Sequence, residues 1–320
     1  MTAPKIVVVG SSNTDMVVKM DRIPKPGETR LGGEFMTSAG GKGANQAVAA
    51  ARAGASVTFV ARVGRDGFGE QAVGGFLKEG IRTEYIVRDK ASPSGVALIF
   101  VGADGDNSIA VASGANGKLS PADVRKAKPA LAGAGALLVQ LETPLQTVRA
   151  AIELAGKAGV PVILNPAPAQ PLSDDLLQMV SVLTPNESEA ELLTGLLIRS
   201  RKDAQKAAGL LLARGVKTVV ITLGSRGALL ADREQMRFVP GFRVRAVDAT
   251  AAGDTFNGAL AVALAEGKSG IEAIRFAHAA AALSVTRPGA QTSAPTRREI
   301  ETFLRESPIA KEEKPVNRRQ

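Results

Sequence analysis

The feature that most constrains this chain is the regular alternation of helical and strand patterns that begins at Pro121. Short runs of Val, Ile and Leu, suited to buried strands, are separated by segments whose apolar residues have helical spacing. Such alternation is typical of a mostly parallel sheet covered by helices on both faces. The predicted elements are a helix to Leu131, a strand Ala136–Leu141, a helix Leu145–Ala158, strands Val160–Leu164 and Val180–Leu183, helices Glu187–Gly195 and Lys202–Arg214, and a strand Thr218–Thr222.

Composition places the chain among ordinary globular proteins and excludes several kinds of chemistry. Of its 320 residues, 45% are hydrophobic and 22% charged, and no apolar run reaches the length of a membrane span. The absence of cysteine excludes disulfides and thiolate sites and fits a reducing compartment, so we expect a cytoplasmic protein without membrane contact. The net charge of +9 suits any polyanion, but 3% aromatic residues offer few stacking platforms, so we expect no nucleic-acid partner.

The stretch from Val247 to Leu260 carries the strongest single sign of chemistry. Ala251, Ala252 and Gly253 stand directly before Asp254, and an apolar run with helical spacing follows. Small residues at a helix start let an anion approach the unpaired amide groups of the first turn, with the aspartate beside it. An aspartate in this place could equally serve only to offset the helix dipole, and the stretch alone does not decide between these readings.

Polar residues also follow the first predicted strand. Lys5–Gly10 has the profile of a buried parallel strand, and Asn13 and Asp15 lie just beyond it. Ligands bind outside the carboxyl ends of the strands in open α/β sheets, so both residues are candidates for contacts with a polar small molecule. An Asx-type turn that leads out of the strand would explain them equally well.

A glycine-rich segment from Ala39 to Ala47 runs into an alanine-rich helix. It lacks the spacing of a Walker A loop and that of a dinucleotide fingerprint. Its glycines still allow close backbone approach at a helix start, and Lys42, Asn45 and Gln46 offer hydrogen-bond donors suited to hydroxyl groups. The alternative is a glycine turn that only caps the helix.

Two β-rich segments interrupt the α/β pattern. From about residue 16 to 39, and again from 95 to 112, short alternating runs broken by turn residues predict antiparallel strands. Paired as a small separate sheet, they would form a lid over the crevice or an interface with a second copy. We therefore expect one α/β domain over residues 1–307 that carries this lid, and a disordered tail over 308–320, which is charged and lacks periodicity.

Three further features have plain structural explanations. Gly67–Ala72 matches a relaxed glycine fingerprint, but no acidic residue follows at the required distance, so we interpret it as a loop and a helix start. Asn186 and Glu189 fit a capping box, which does not exclude a role for Glu189 beside a magnesium ion. His278 lies in an alanine-rich segment, where a packed histidine is the commoner case, and no nucleophile elbow supports a serine hydrolase.

Five strings of the chain carry a family resemblance when they are taken together and in order. They are Gly40–Gln46, Asn165–Pro168, Thr184–Glu189, Thr222–Gly227 and Ala251–Gly258. In these strings the chain resembles the ribokinase/PfkB family of sugar kinases, from about Ile6 to Leu304. The resemblance implies a three-layer α/β/α domain with a mostly parallel central sheet and a small β-sheet lid that serves as a homodimer interface. It also implies phosphorylation of D-ribose at the 5-hydroxyl by ATP, with Mg²⁺ accompanying ATP and K⁺ or another monovalent cation as activator.

Matched residue by residue, the same resemblance implies roles for individual positions. The sugar would be held by Asn13, Thr14, Asp15, Gly41, Lys42, Gly43, Asn45 and Glu142, and ATP by Asn186, Thr222, Gly224, Ser225, Gly227, Gly253 and His278. A monovalent cation would use Asp248, Thr250, Ser284, Arg287, Gly289 and Ser293, and Glu189 would support the magnesium shell. Asp254 would be the general base, and the anion hole would be formed by the amide groups of Ala251, Ala252 and Gly253.

The segment around the implied cation site departs from the family pattern. Ala249 and Thr250 stand where a threonine followed by an aliphatic residue is expected, and Pro288 stands where a basic residue is common. The preferred ion therefore stays open. The implied sugar contacts favour ribose, and the alternatives are a kinase of the same fold for deoxyribose, fructose, a keto-sugar acid or a nucleoside. A non-catalytic sugar or nucleotide sensor is the alternative from another class.

Overall fold

The computed structural model describes residues 2–307, and the predicted disordered tail, 308–320, lies outside the described residues. The strands are β1 Lys5–Val9, β2 Asn13–Lys19, β3 Glu34–Gly40, β4 Ser56–Gly64, β5 Arg82–Asp89, β6 Gly95–Val101, β7 Asn107–Ala112, β8 Ala136–Val139, β9 Val162–Leu164, β10 Val182–Leu183, β11 Thr218–Thr222, β12 Ala228–Ala231 and β13 Met236–Val239. The α-helices are α1 Lys42–Arg52, α2 Gly67–Lys78, α3 Pro121–Lys126, α4 Leu145–Lys157, α5 Asp174–Leu177, α6 Glu187–Thr194, α7 Arg201–Ala213, α8 Ala252–Ala265, α9 Gly270–Ser284 and α10 Arg297–Glu306.

The larger sheet has nine strands in the order β13-β12-β11-β10-β9-β8-β1-β4-β5. The strands from β11 to β5 pair in parallel, while β12 and β13 add an antiparallel edge. The chain moves outward from β1 to β4 and β5 and then returns to β8 on the other side of β1. This reversal creates a crevice at the carboxyl ends of β1 and β8, the kind of place where open α/β sheets bind ligands.

Successive side chains of each buried strand point to opposite faces of the sheet and pack in two separate cores. Val7 and Val9 of β1 belong to the core under α3, α4, α6 and α7, whereas Ile6 and Val8 belong to the core under α1, α8 and α9. The fold is thus a three-layer α/β/α sandwich, as predicted. No helix among residues 2–307 has the length and apolar character needed to cross a membrane.

Two details of the predicted helices can be compared directly with the structure. The single helix expected to reach Leu131 is wrong, because α3 ends at Lys126 and a 3₁₀ turn, Lys128–Leu131, follows. Pro129 has no amide hydrogen, so it cannot continue the α-helical bonding pattern. The helix start predicted at Gly67 is confirmed, with the Asp66 side chain accepting from the Gly69 amide at 2.8 Å.

The second, smaller sheet has the order β3-β2-β6-β7 and confirms the two predicted β-rich segments. Each segment is antiparallel within itself, and the two join through the parallel pair β2 and β6. Strand β2 begins at Asn13, only a few residues after β1 ends, so the small sheet emerges at the crevice.

Close contact between α1 and α8 brings the two glycine-rich motifs together. A Cβ atom on Gly258 would lie 2.7 Å from both the Ala49 Cβ and the Gln46 carbonyl oxygen. Such separations are too short for a nonbonded Cβ atom, so the missing side chain of Gly258 sets the distance between the helices. One turn earlier on α8 lies Asp254, which therefore faces α1.

We expect Gly258→Ala to lower the free energy of unfolding by about 1–3 kcal/mol, because the added methyl group overpacks a backbone contact. Urea denaturation followed by circular dichroism measures this change. The matched control is Gly74→Ala in α2, where a Cβ would meet nothing within 4 Å and helix propensity should add about 0.5–1 kcal/mol. A Gly258→Ala protein as stable as the wild type would contradict the packing account.

Candidate active site

The crevice is built where β1, β8 and the start of α1 meet. The Ser11 hydroxyl donates to the Glu142 carboxylate at 2.5 Å, and the backbone amide of Lys42 donates to the same oxygen at 2.9 Å. Ser11 follows β1, Glu142 follows β8 and Lys42 opens α1. One carboxylate therefore links the three elements, although Glu142 lies 100 residues after Lys42 and 131 after Ser11 in the sequence.

Two of the predicted sugar-contact glycines allow this meeting by their lack of a side chain. Gly41 has φ +89°, and a Cβ there would lie 2.7 Å from the Asn13 amide nitrogen. A Cβ on Gly43 would lie 2.5 Å from the Ser11 nitrogen, and the Gly43 amide donates to the Ser11 hydroxyl at 3.2 Å. Both glycines thus let the start of α1 lie directly against the end of β1.

The predicted sugar-contact residues of β2 divide between the two faces of the small sheet. Asn13 and Asp15 lie on one face, and Thr14 lies on the other, because successive residues of a strand alternate. The Thr14 side chain is thus separated from those of its two neighbours. Burial, together with the charges of Glu142 and Asp254, raises the pKa of Asp15 to about 6, whereas Lys42 acts in the opposite direction.

Helix α8 begins as the sequence predicts, at Ala252. Ala251 precedes it in the left-handed conformation, with φ 56° and ψ 17°, which is uncommon for a residue with a Cβ. Such strain is typical of functional sites, where the surroundings hold the backbone in place. The Ala252 amide donates to the Ala249 carbonyl at 3.2 Å, while the amides of Gly253 and Asp254 have no hydrogen-bond partner among residues 2–307. These free donors can receive an anion.

Asp254 is only 6% exposed and is held by two side-chain amides from α1. Asn45 donates to one carboxylate oxygen at 2.9 Å, and Gln46 donates to the other at 3.0 Å. Burial raises the pKa of Asp254, and the charge of Lys42 and the two amide donors partly oppose that rise. A buried carboxylate with a raised pKa is suited to accepting a proton. The expectation that Gln46 offers its donors to hydroxyl groups is wrong, because Gln46 is fully buried and donates to Asp254.

Lys42 is the cation around which the acidic groups of the crevice are arranged. Burial would lower its pKa, but nearby carboxylates outweigh that effect and raise it; they belong to Asp254, Glu142, Glu189 and Asp15. Lys42 therefore stays charged and compensates part of the negative charge. The crevice combines carboxylate acceptors with ammonium and amide donors, which is the set of groups that hydrogen-bonds a polyhydroxylated ligand.

Most of the residues predicted to contact a nucleotide lie at the end of β11 or just beyond β10 and β11. The capping box is confirmed: the Asn186 amide donates to Glu189 at 2.8 Å, and the Glu189 amide donates back to the Asn186 side chain at 2.8 Å. Burial raises the pKa of Glu189. A β-bridge joins Asn186 to Thr222, and the exposed 3₁₀ turn Gly224–Arg226, which contains Ser225, leads to Gly227 at φ +104°.

His278 is buried on α9, as a packed histidine would be. Its ring lies 5.1 Å from the ring of Phe256 on α8, and its Nε2 atom has no hydrogen-bond partner within the described part of the chain. Burial lowers the pKa of His278 to about 4, so the ring is neutral at physiological pH. The aromatic ring that His278 contacts in the structure is thus that of Phe256 on α8.

The residues of the implied cation site meet in two adjoining loops. Asp248 accepts from the amide of Thr250 at 2.9 Å and from the amide of Gly289 at 2.8 Å. Ser284, the last residue of α9, and Ser293, in the following loop, are each 1% exposed and donate to the carbonyl groups of Ala281 and Ala290. The Arg287 side chain turns to Glu299, at 2.6 Å. Among residues 2–307 no three His, Cys, Asp or Glu side chains cluster to hold a metal ion, so a cation here would depend on the Asp248 carboxylate together with carbonyl and hydroxyl oxygens.

One residue that organises the crevice was not predicted. Asn116 follows β7 and is 2% exposed. Its side chain donates to Asn13 Oδ1 at 2.7 Å and to the Ser12 carbonyl at 3.0 Å, and it accepts from the Ser12 amide at 2.9 Å. These bonds leave the side-chain nitrogen of Asn13, Nδ2, available as a donor. No local pattern marks Asn116, because its partners lie about a hundred residues earlier in the sequence.

Comparison with known proteins agrees with this fold. The model of the pfkB family of carbohydrate kinases matches residues 3–297, so the chain belongs to that family. Ribokinase of Haemophilus influenzae is 49% identical over 299 residues, covering 93% of this chain and 98% of that protein. Deoxyribokinase of Salmonella typhi is 39% identical over 300 residues, with 93% and 98% covered. The structure of Arabidopsis thaliana ribokinase complexed with ribose and ATP is 37% identical, covers 96% of this chain and 100% of that one, and superposes with a TM-score of 0.88.

Asp15 generates a testable dependence of stability on pH. The pKa of Asp15 rises from 3.8 to about 6 on folding, so the folded state binds a proton more tightly than the unfolded state. The free energy of unfolding therefore falls as the pH rises from about 4 to 6. We expect Asp15→Asn to raise the free energy of unfolding by about 1–3 kcal/mol at pH 7.5 and by nothing at pH 3.5. Urea titrations at both pH values measure this. Asp106→Asn, at an exposed turn of the same sheet, is the control. Equal effects of Asp15→Asn at both pH values would contradict the prediction.

Proposed function

We propose that the protein transfers the γ-phosphoryl group of ATP to the 5-hydroxyl of D-ribose. The observation that carries this proposal is the buried Asp254 carboxylate beside unpaired amides at the start of α8, facing the polar crevice of β1 and β8. Membership of the carbohydrate kinase family and the similarity to the ribokinase solved with ribose and ATP support it. A cytoplasmic location, which the lack of cysteine favours, is part of the same proposal.

The chemistry is an in-line displacement in which positioning and charge stabilisation do most of the catalysis. Asp254 accepts the proton of the 5-hydroxyl while that oxygen forms a bond to the γ-phosphorus. The bond from this phosphorus to the bridging oxygen breaks, and ADP leaves. The free amides of Gly253 and Asp254 point from the positive end of α8 and stabilise the charge that develops on the transferring group.

On the nucleotide side of the site, Glu189 is the one carboxylate proposed to support Mg²⁺, through water. Both oxygens of Glu189 already accept from Asn186, but a carboxylate has further lone pairs with which it can orient water. The lack of an acidic cluster among residues 2–307 agrees with an ion that keeps several waters and binds mainly to phosphate. When bound with ATP, Mg²⁺ supplies neutralisation of the phosphate charge. Asn186, Thr222 and His278 are proposed to hold the nucleotide itself.

Recognition of the sugar is assigned to the polar groups of the crevice. Asp15 and Glu142 accept hydrogen bonds, and Lys42, Asn13 and Asn45 donate them. A site built to pair hydroxyl groups can reject a sugar that lacks one by as much as about 10⁴-fold. Deoxyribose is the second candidate substrate, because a deoxyribokinase is 39% identical over nearly its whole length.

The proposal predicts ADP production with a sugar panel of ribose, 2-deoxyribose, fructose and adenosine, assayed with ATP, Mg²⁺ and potassium. We expect the highest kcat/KM with ribose, because the relatives of this chain include ribokinases and because a site built to pair hydroxyl groups penalises 2-deoxyribose for the hydroxyl that it lacks. A coupled assay of ADP release measures it. Higher kcat/KM with 2-deoxyribose would move the proposal to the second candidate, and no sugar-dependent turnover would refute the kinase function.

The control for this assay is Asp254→Asn, which keeps the size of the side chain but removes the base. We expect it to retain binding of sugar and ATP and to lose about 10³-fold or more in kcat, since proton acceptance and positioning are lost together. Isothermal titration calorimetry checks the binding. Turnover within tenfold of the wild type would exclude Asp254 as the base.

The adjoining loops of Asp248 are proposed to bind a monovalent cation that supports the anion hole. The Asp248 carboxylate ties the loop before Ala251 to the loop at Gly289. A cation at these loops would therefore stabilise the strained backbone conformation at Ala251, at the start of α8. The carboxylate lone pairs and the buried hydroxyls of Ser284 and Ser293 suit a weakly held ion.

We expect wild-type kcat/KM for the preferred sugar to be about fivefold or more higher in potassium chloride than in choline chloride of equal ionic strength. In Asp248→Ala this difference should vanish, because the two loops lose their shared carboxylate. Initial rates of ADP release measure both. A potassium effect of equal size in the variant would rule out Asp248 as part of the cation site.

The small sheet is proposed to be both a lid over the sugar and a homodimer interface. Its face that carries Asp15 also carries Ile99 and Ile109 and looks toward the crevice. The opposite face carries Phe35 and Leu98, which are 62% and 44% exposed. A four-stranded sheet with apolar side chains on both faces needs a cover on each, and a second copy of the chain provides one.

We expect the wild type to sediment as a dimer at micromolar concentration and Leu98→Asp to sediment as a monomer, because the charge would be buried at the interface. Analytical ultracentrifugation measures the mass. Leu197→Asp is the control, since Leu197 is 64% exposed and lies outside the small sheet. A monomeric wild type, or a dimeric Leu98→Asp, would contradict the interface.

A further inference from the structure

Gln46 is the most deeply buried polar side chain next to the proposed base, with no exposed surface. Its amide nitrogen donates to Asp254 at 3.0 Å and to the Asn165 Oδ1 atom at 3.1 Å. Its carbonyl oxygen accepts from the Gln140 side chain at 2.5 Å. The side chain therefore has three partners, drawn from α8 and from the residues after β8 and β9.

These bonds allow only one orientation of the Gln46 amide. An ionised carboxylate accepts hydrogen bonds and donates none, so Gln46 must turn its nitrogen toward Asp254. Its oxygen then faces Gln140, which must donate. The cost is visible at Gln140, whose own Oε1 atom is buried without a partner among the described residues. An orphaned buried acceptor is unfavourable, so the arrangement keeps a donor on Asp254 at the expense of Gln140.

The same chain of bonds continues to the amides of α8. Asn165 donates to the Thr184 carbonyl at 3.1 Å, and the Thr184 hydroxyl donates to Asn257 at 2.6 Å. Asn257 in turn donates to the Gly253 carbonyl at 2.8 Å. That carbonyl belongs to the peptide group whose N–H is the free amide of Asp254. One buried network thus reaches both the carboxylate and the adjoining anion-binding backbone.

We propose that Gln46 is a positioning residue, which aims the Asp254 carboxylate at the sugar hydroxyl and keeps it ionised through an orientation fixed by Gln140 and Asn165. The inference rests on the proposed function and assigns Gln46 no contact with either substrate. Asn45, which also donates to Asp254, has a buried and unpartnered Oδ1 atom and is free to contact the sugar. Gln46 has no polar atom left for a ligand.

Several charged side chains also act on Asp254, and replacing Gln46 leaves all of them in place. They are Lys42 on α1, Asp15 on β2, Glu142 after β8 and Glu189 on α6. The neighbouring helix α9 presents His278, which packs on Phe256 and is neutral. Loss of the Gln46 donor therefore changes one hydrogen bond to the carboxylate and no charge.

The test is the pH dependence of kcat/KM for the preferred sugar of the panel, in the wild type, Gln46→Met and Gln140→Met. A donor to a carboxylate favours its ionised form, so Gln46→Met should move the acidic limb to higher pH, by about one to two pH units. Gln140→Met leaves Gln46 present but removes the donor to its carbonyl oxygen, which loosens the hold on the side chain, so a smaller shift in the same direction is expected. KM for ATP should stay within about twofold of the wild type.

The outcomes separate positioning from a merely structural role. Gln178→Met, the same change at an exposed position, should match the wild type throughout. An unchanged acidic limb in both Gln46→Met and Gln140→Met, with lower thermal stability alone, would overturn the inference while leaving the kinase function intact. Should Gln46→Met fail to fold, Gln140→Met decides by itself. A wild type that turns over no sugar would end both proposals.

Discussion

The buried carboxylate of Asp254 is the constraint on which the rest of the site depends. Taking an ionised group out of water costs several kcal/mol unless charges and hydrogen bonds replace the lost solvation. Asn45, Gln46 and the charge of Lys42 supply that replacement, and all three belong to the first two turns of α1. The carboxylate therefore requires α1 and α8 to lie side by side, and the many small residues of both helices make this possible.

The two sheets complete the site by placing further charges around the same point. Because β1 and β8 are neighbours, Glu142 reaches Ser11 and the start of α1, and the short link from β1 to β2 carries Asp15 to the edge of the crevice. The negative charges of Glu142 and Asp254 raise the pKa of Asp15, and the charge of Lys42 opposes that rise. A ligand that pairs with the carboxylates would relieve part of their mutual repulsion.

The sequence predicted the parts of this arrangement that have a local pattern. The alternation after Pro121, the start of α8 at Ala252 and the capping box at Asn186 follow from spacing and residue type, and the structure contains all three. The break at Pro129 was missed, although proline gave the signal for it. The partners of Gln46 and the role of Asn116 could not be predicted, because they depend on how elements far apart in sequence meet. The roles of the site residues stay proposals that rest on geometry and resemblance.

The central claim is that the sugar hydroxyl, the γ-phosphoryl group and Asp254 meet at the start of α8. A crystal structure of Asp254→Asn with ribose and a non-hydrolysable ATP analogue tests it most directly. The account predicts the 5-hydroxyl oxygen within about 3.2 Å of the substituted side chain, in line with a γ-phosphate held by the free amides of Gly253 and its neighbour. A 5-hydroxyl directed instead to Asp15 or Glu142, away from the start of α8, would contradict it.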